Sequence, residues 1–329
     1  MNKFVKGMLV VLAGGAIIGG ISLYQTVGQV KETAAKIYEP LPPLPQTDRT
    51  APVPPEAPER QKSKKTTEQK PITILLFGVD EREGDKGRTD TLMFLSFHPQ
   101  KKQSLMISIP RDTRTTIAGR GFEDKINHAY SWGGVASTVG TVQDFFDTPI
   151  DYYVHVNMEG FSEIVDTLGG VTVDNPFAFS YEGYDFPQGM IQLDGNTALA
   201  YVRMRYEDPQ GDLGRNKRQQ QIIRQLMDKA KQTGTFTKLD QVLATVANNL
   251  KTNLTYDDMK AMLFAYRDSL ETIEVVDITG SSALIGGVYY YIVPDSERQR
   301  IQQRIDQFLL PQQRSADEAG TGPTRAIDS

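Results

Sequence analysis

The stretch Gly195–Arg224, GNTALAYVRMRYEDPQGDLGRNKRQQQIIR, sets the reading of the whole chain. It carries Arg203, Arg205, Arg215, Lys217, Arg218 and Arg224 in a protein of net charge −5, so the cluster is no by-product of overall basicity. An extended Tyr201–Tyr206 would put Arg203 and Arg205 on one face. The turn formers of Asp208–Gly214 follow. The spacing of Ile222, Ile223, Leu226 and Met227 then predicts a helix from near Gly214. On that helix Arg215, Arg218 and Gln219 share a face, in the first turns, where free N–H groups and the helix dipole favour an anion. Guanidiniums from a strand end and a helix start would converge on one phosphate-sized charge.

The same mixture of strands and helices extends on both sides. Ile72–Gly78, Leu92–Phe97, Leu105–Ile109, Asp151–Val156, Val171–Val173, Glu274–Ile278 and Val288–Val293 are short, apolar and rich in branched or aromatic residues, which predicts strands. Val135–Phe146, Met158–Leu168, Thr237–Leu250, Tyr256–Leu270 and Asp295–Leu309 have helical periodicity. Such a mixture points to an α/β sandwich over residues 71–310. The polar, small-residue composition from Pro311 onward predicts a disordered tail over 311–329.

The N-terminal side is built differently. Gly7–Val30 carries no charge and follows Lys3 and Lys6. About 20 apolar residues suffice to cross a bilayer, and preceding lysines keep the N-terminus cytoplasmic. A cleaved signal peptide is the alternative, but no convincing small-residue cleavage site follows the apolar run. Residues 1–30 are therefore expected to be a single-pass anchor and 31–70, with the proline-dense Pro40–Pro58, an extracellular linker.

Composition narrows the chemistry. With no cysteine, disulfides, thiolate metal sites and cysteine catalysis are excluded. His98, His128 and His155 lack zinc-site spacing, and net acidity argues against a basic nucleic-acid surface. No nucleophile-elbow, P-loop or dinucleotide motif is present. The ends of the first strands, however, gather Asp80, Asp90, Arg88 and Arg111. Aspartates beside several arginines suit a metal-bound diphosphate: hard oxygen ligands for the ion, planar forks for phosphate oxygens. The segment Lys125–Gly134 has the residues to line a pocket, with His128 read as structural and His155 as a satisfied core residue.

The segments GVDER, GRTDTLMFLSF, LMISIPRDT, KINHAYSWGG, VDTLGGVTVDNP, ALAYVRMR and GDLGRNKRQQQII occur in order over about residues 72–232. Together they resemble the motifs of the LytR-CpsA-Psr family. The resemblance implies an αβα domain with a mixed central sheet sandwiched by helices, after an N-terminal transmembrane helix. It also implies a Gram-positive cell-envelope enzyme that moves an anionic glycopolymer, such as wall teichoic acid, from a polyprenyl-pyrophosphate carrier to peptidoglycan. The family's pyrophosphate-binding positions fall on Arg88, Arg111, Arg203, Arg205, Arg215 and Gln219. Its metal ligands, for magnesium or manganese, fall on Asp80 and Asp90, and its proposed base on Asp212. Arg82 and Arg218 also match motif positions. The polyprenyl chain in the family occupies a long apolar tunnel.

On this reading a muramic-acid hydroxyl attacks the sugar-side phosphorus, Asp212 takes its proton, and Arg111 with its neighbours stabilises the growing charge. The products are a phosphodiester and polyprenyl phosphate. A polyprenyl-pyrophosphate hydrolase would use the same diphosphate clamp with water as acceptor. A membrane-tethered, non-catalytic regulator of envelope synthesis is the rival of another class, and no helix-turn-helix supports it.

Overall fold

The computed structural model describes residues 31–44, 70–79, 87–233 and 236–311. The expected anchor, Asp80, Arg82 and nearly all of the expected tail lie outside the described residues. Among the described residues no helix is long and apolar enough to cross a membrane.

Helix α1 (31–37) comes first. Strands β1 (Ile72–Val79), β2 (Thr89–His98), β3 (Gln103–Ser108), β4 (Arg114–Thr116) and β5 (Glu123–Lys125) lead into α2 (Ala129–Phe146), β6 (Tyr152–Asn157) and α3 (Met158–Thr167). The short strands β7 (Val171–Asn175), β8 (Phe179–Tyr181), β9 (Tyr184–Phe186) and β10 (Gly189–Leu193) precede α4 (Gly195–Arg203), α5 (Asp212–Thr233) and α6 (Phe236–Val246). Then come β11 (Leu250–Thr252), α7 (Tyr256–Ala265), β12 (Thr272–Val276), the hairpin β13 (Ser281–Ile285) and β14 (Val288–Ile292), and α8 (Asp295–Leu309).

The central sheet has the order β11-β6-β1-β2-β3-β12. β1 pairs parallel with β6 and β3 with β12, while β1–β2, β2–β3 and β6–β11 are antiparallel, so the sheet is mixed. Successive residues of a strand face opposite ways, and β1 is apolar on both faces. Leu75, Phe77 and Val79 join a core with α2 and α8, through Val139, Val142, Ile301 and Ile305. Ile72, Ile74 and Leu76 face the other way, towards Ile223 and Met227 of α5 and Met262 of α7. This is the sandwich anticipated from the sequence.

Two expectations are corrected. Tyr201–Tyr206 is not one strand, because Gly195–Arg203 is helical. Asp194 caps that helix, accepting from Thr197 N while the Thr197 hydroxyl accepts from Asp194 N. The chain becomes extended only at Met204 (φ −59°, ψ 136°), which is what carries Arg205 away from the helix axis. The second concerns the linker expected over 31–70. Residues 31–44 are part of the folded body: Ala34 and Ile37, one helical turn apart, are buried, and Ile37 packs with Leu243. Glu39 N donates to Thr252 O (2.8 Å), and the Tyr153 hydroxyl donates to Glu39 O (2.7 Å). Burial of apolar side chains and paired backbone groups holds this segment against the sheet edge despite its prolines.

Candidate active site

Three chain segments meet beyond the ends of β1, β2 and β3. Asp90 lies at the start of β2, beside an irregularity in the β1–β2 register at Gly78/Val79. Arg111 follows Pro110, where β3 turns away, with Thr113 N and its hydroxyl closing the turn on Pro110 O. The first turns of α5 bring Asp212, Arg215 and Gln219 to the same place, since residues three and four apart share a helix face.

Their contacts form a charged network. Arg111 Nη1 donates to Asp90 Oδ1 at 2.5 Å, and Arg111 Nε lies 3.5 Å from Asp212 Oδ1. Arg215 Nη2 lies 2.8 Å from the same oxygen. Burial favours loss of the Arg111 proton, but Asp90, Asp212 and Asp112 outweigh it and hold the guanidinium above its ordinary pKa. Burial also lowers Arg215, Asp212 opposes that, and Arg111 adds to it, so Arg215 is pulled down. Arg111 Nε and Arg215 Nε are buried donors with no hydrogen-bond partner among the described residues, their contacts to Asp212 being ion pairs. Buried donors left unmade are costly, and the oxygens of an anion would satisfy them.

A cavity of about 370 Å³ opens at this network. Asp90, Arg111, Arg203, Arg205, Arg215 and Gln219 line its charged part. Arg203 pairs with Glu182 of the β8–β9 turn (2.9 Å), and Arg205 stacks 4.4 Å over the exposed Tyr206 ring. Leu76, Val154, Phe161, Val202, Ile223 and Leu226 make its inner part apolar. A second apolar cavity of about 440 Å³, touching Ile72, Ile74, Met227 and Met262, lies further along the same sheet face under α5.

Six of the residues singled out from sequence therefore share one cavity, and Asp212 stands directly behind two of them. Arg88 does not join them: it is exposed and outside the lining. Arg218 is also absent, for a different reason. Its guanidinium donates to Tyr201 O (3.0 Å), to Met204 O and to Asp208, and packs 5.5 Å from the Phe179 ring. It is a buried strut that ties the end of α4 and the following loop to α5. Lys125 does not line the cavity; it pairs with Asp112 (2.9 Å) and lies 5.8 Å from the Tyr289 ring. His128 Nδ1 donates to Asp124 Oδ2 (2.9 Å), and His155 is buried and stacked on Phe77 at 5.0 Å. The apolar lining escaped the sequence reading because its residues look like any core.

The profile of the LytR_cpsA_psr family matches residues 26–307. The polyisoprenyl-teichoic acid–peptidoglycan teichoic acid transferase TagU of Bacillus subtilis is 46% identical over 250 residues, 76% of this chain and 82% of that protein. The crystal structure of B. subtilis TagU superposes with a TM-score of 0.60 at 41% identity, covering 74% of this chain and 99% of that one. TagT bound to LI-WTA gives 0.63 at 31% identity, covering 74% and 94%. The family profile spans most of the chain and the sandwich superposes on these solved structures, so the chain belongs to the LytR_cpsA_psr family.

Proposed function

We propose that the protein transfers an anionic glycopolymer of the wall teichoic acid type from a polyprenyl-diphosphate carrier to a hydroxyl of peptidoglycan. The observation that carries this reading is the junction of two chemistries in one cavity. Buried guanidinium donors without acceptors sit at one end, and an apolar interior that suits a lipid tail continues from it. The second apolar cavity lies further along the same sheet face. From Gly78 to Ile72 along β1 is roughly 20 Å. The relatives named above act on, or are bound to, substrates of this kind.

In the proposed reaction the diphosphate lies against Arg111, Arg203, Arg205 and Arg215, with the lipid in the apolar part. The acceptor oxygen forms a bond to the glycopolymer-side phosphorus as the bond to the bridging oxygen breaks, and polyprenyl phosphate leaves. Asp212, oriented by Arg111 and Arg215, takes the hydroxyl proton. The arginines stabilise negative charge growing on the phosphate oxygens in a site with little water. A magnesium or manganese ion belongs to the proposal. Asp90 supplies a hard oxygen donor at the cavity, while among the described residues no group of three or more His, Asp or Glu side chains forms a metal cage. Asp90 would help hold such an ion, which would neutralise charge on the diphosphate. The proposed setting is the outer face of a cell membrane, with residues 1–30 as the anchor.

The test is a transfer assay on the full chain in detergent. It would contain a short-chain polyprenyl-diphosphate glycan, peptidoglycan oligomers and Mg²⁺, with Arg111→Ala in parallel and products read by mass spectrometry. A glycan-phosphate-peptidoglycan adduct that the variant does not form is expected. Polyprenyl phosphate without an adduct would point to hydrolysis, and neither product would overturn catalysis.

A further inference from the structure

Trp132 is the single tryptophan of the chain, and it stands in solvent. Its side chain is not there for want of a core position. The indole Nε1 donates to Asp124 Oδ2 at 3.1 Å, and the same oxygen pairs with His128 Nδ1 at 2.9 Å. The Trp132 carbonyl accepts from Arg120. Phe122 meets the indole edge-to-face, with ring centroids 5.2 Å apart and planes at 81°. Both rings stay open to water, Trp132 at 43% and Phe122 at 41%. The backbone contributes as well. Gly133 and Gly134 leave helical geometry, and Gly134 has φ +61°, ψ −148°, which other residues rarely adopt. That break separates the turn 129–132 from the rest of α2 and holds Trp132 outward.

A large aromatic that is oriented by hydrogen bonds, yet left exposed, is prepared for a ligand. The rim narrows the ligand class. Arg120, Asp124 and His128 surround the apolar surface with donors and acceptors, which disfavours a lipid tail. They suit a molecule with one flat C–H face and a polar edge, and a pyranose ring has that shape. Burial raises the Asp124 carboxyl, but its bonds from His128 and Trp132 outweigh this and hold it below the ordinary range, so it can accept from both. Location narrows the class further. Ser131 Oγ donates to Gly87 O at 2.6 Å, next to exposed Arg88, and Asn127 N donates to Arg111 O at 3.2 Å. The turn bearing Trp132 is thus fastened to Gly87, and the residues just before it to the backbone of Arg111, whose side chain lines the cavity.

We infer that the Trp132 indole, buttressed edge-to-face by Phe122, is a stacking platform for a sugar ring of the acceptor glycan, with Arg120, Asp124 and His128 as its polar rim. The inference deepens the transferase reading and rests on it for the identity of the glycan, but its binding test needs no donor. The platform is a positioning and specificity element, separate from the groups that hold diphosphate.

The only indole of the chain makes the test direct. Full-length protein in detergent is titrated with soluble, peptide-free N-acetylglucosamine–N-acetylmuramic acid oligosaccharides. Tryptophan emission is expected to shift to shorter wavelength and saturate. By calorimetry, Trp132→Ala should weaken oligosaccharide binding at least tenfold and Trp132→Phe less than threefold. Both variants should bind a polyprenyl-diphosphate analogue as the wild type does, which also shows that they fold. Unmoved emission at millimolar oligosaccharide, or Trp132→Ala binding within twofold of wild type, would overturn the platform. Failure of the transferase reading would show separately, as loss of donor-dependent product in the wild type while oligosaccharide binding persists.

Discussion

Arg215 and Arg218 lie one helical turn apart on α5, are almost equally buried, and should respond oppositely to the same substitution. Arg218 (side chain 3% exposed) is fully engaged by Asp208 and the carbonyls of Tyr201 and Met204. Arg218→Met strands the Asp208 carboxylate, itself 4% exposed, and removes donors from two carbonyls. Breaking one side of such a buried pair costs about 3–5 kcal/mol. Arg215 (5% exposed) has Asp212 at 2.8 Å, a long contact to Asp90 O at 3.4 Å, and an Nε with no acceptor. Its desolvation is poorly offset in the free protein, and Asp212 keeps Arg111 when it is removed. Arg215→Met should therefore change stability by no more than about 1 kcal/mol, in either direction. For a domain of this size each kcal/mol moves Tm by roughly 2–4 °C. The expected drops are about 6–20 °C for Arg218→Met and at most about 4 °C for Arg215→Met. Thermal melts with and without a polyprenyl-diphosphate analogue complete the assay. At 100 times Kd the ligand adds about 2.7 kcal/mol to wild type, and this gain should vanish in Arg215→Met. Equal destabilisation by the two substitutions, or retained ligand stabilisation in Arg215→Met, would refute the division of labour drawn here.

Other outcomes follow from the same geometry. A Cβ at Gly214 would lie 2.0 Å from Asp208 Oδ2, in a carboxylate already held by Arg218, so Gly214→Ala should cost about 1–3 kcal/mol in chemical denaturation. An unchanged denaturation midpoint would mean that Asp208 can move. Glu297 accepts from Arg300 Nε (2.7 Å) and Thr279 N (2.8 Å), and these bonds, chiefly those from Arg300, hold its carboxyl at about 2. Its contribution is therefore complete above the ordinary carboxylate value and is lost as pH falls towards about 2. The lowering corresponds to about 3 kcal/mol at most, reduced because Arg300 is 51% exposed. Glu297→Gln should accordingly lower Tm at pH 7 and converge on wild type near pH 2; a gap independent of pH would contradict it.

The sandwich was legible because its strands and helices are long enough to show their periods, and Asp295–Leu309 coincides with α8. The short ribbons were not. β4, β5, β8 and β9 span three residues each, too few for an alternation to register. Arg203 and Arg205 do not share a strand face as the extended reading had it, yet both line the cavity, since a helix end followed by an extended residue can also bring together residues two apart. Within α5 the periodicity placed Arg215, Arg218 and Gln219 on a common side. It could not separate clamp from strut, because Asp208 reaches Arg218 only through the shape of the loop between them. Similarly, Leu76 and Val154 on the cavity and Leu75 and Tyr153 in the core differ only in which way the pleat turns them.

The packing of residues 31–44 alters what the proline-rich segment can do mechanically. Glu39 and Leu44 rest on the same body to which Lys70 returns: the Tyr153 hydroxyl donates to Glu39 O, Leu44 lies against Gly140, and the Tyr266 hydroxyl donates to Lys70 O. The described residues on either side of 45–69 are therefore both fixed on one folded body, and not joined to it in series. Lengthening the chain between such fixed ends changes only closure entropy, about 0.6 kcal/mol per doubling. The distance from the cavity to anything joined ahead of Lys31 is then set at Lys31. Insertions between residues 45 and 69 would leave that distance alone, whereas a few residues added just before Lys31 would reset it.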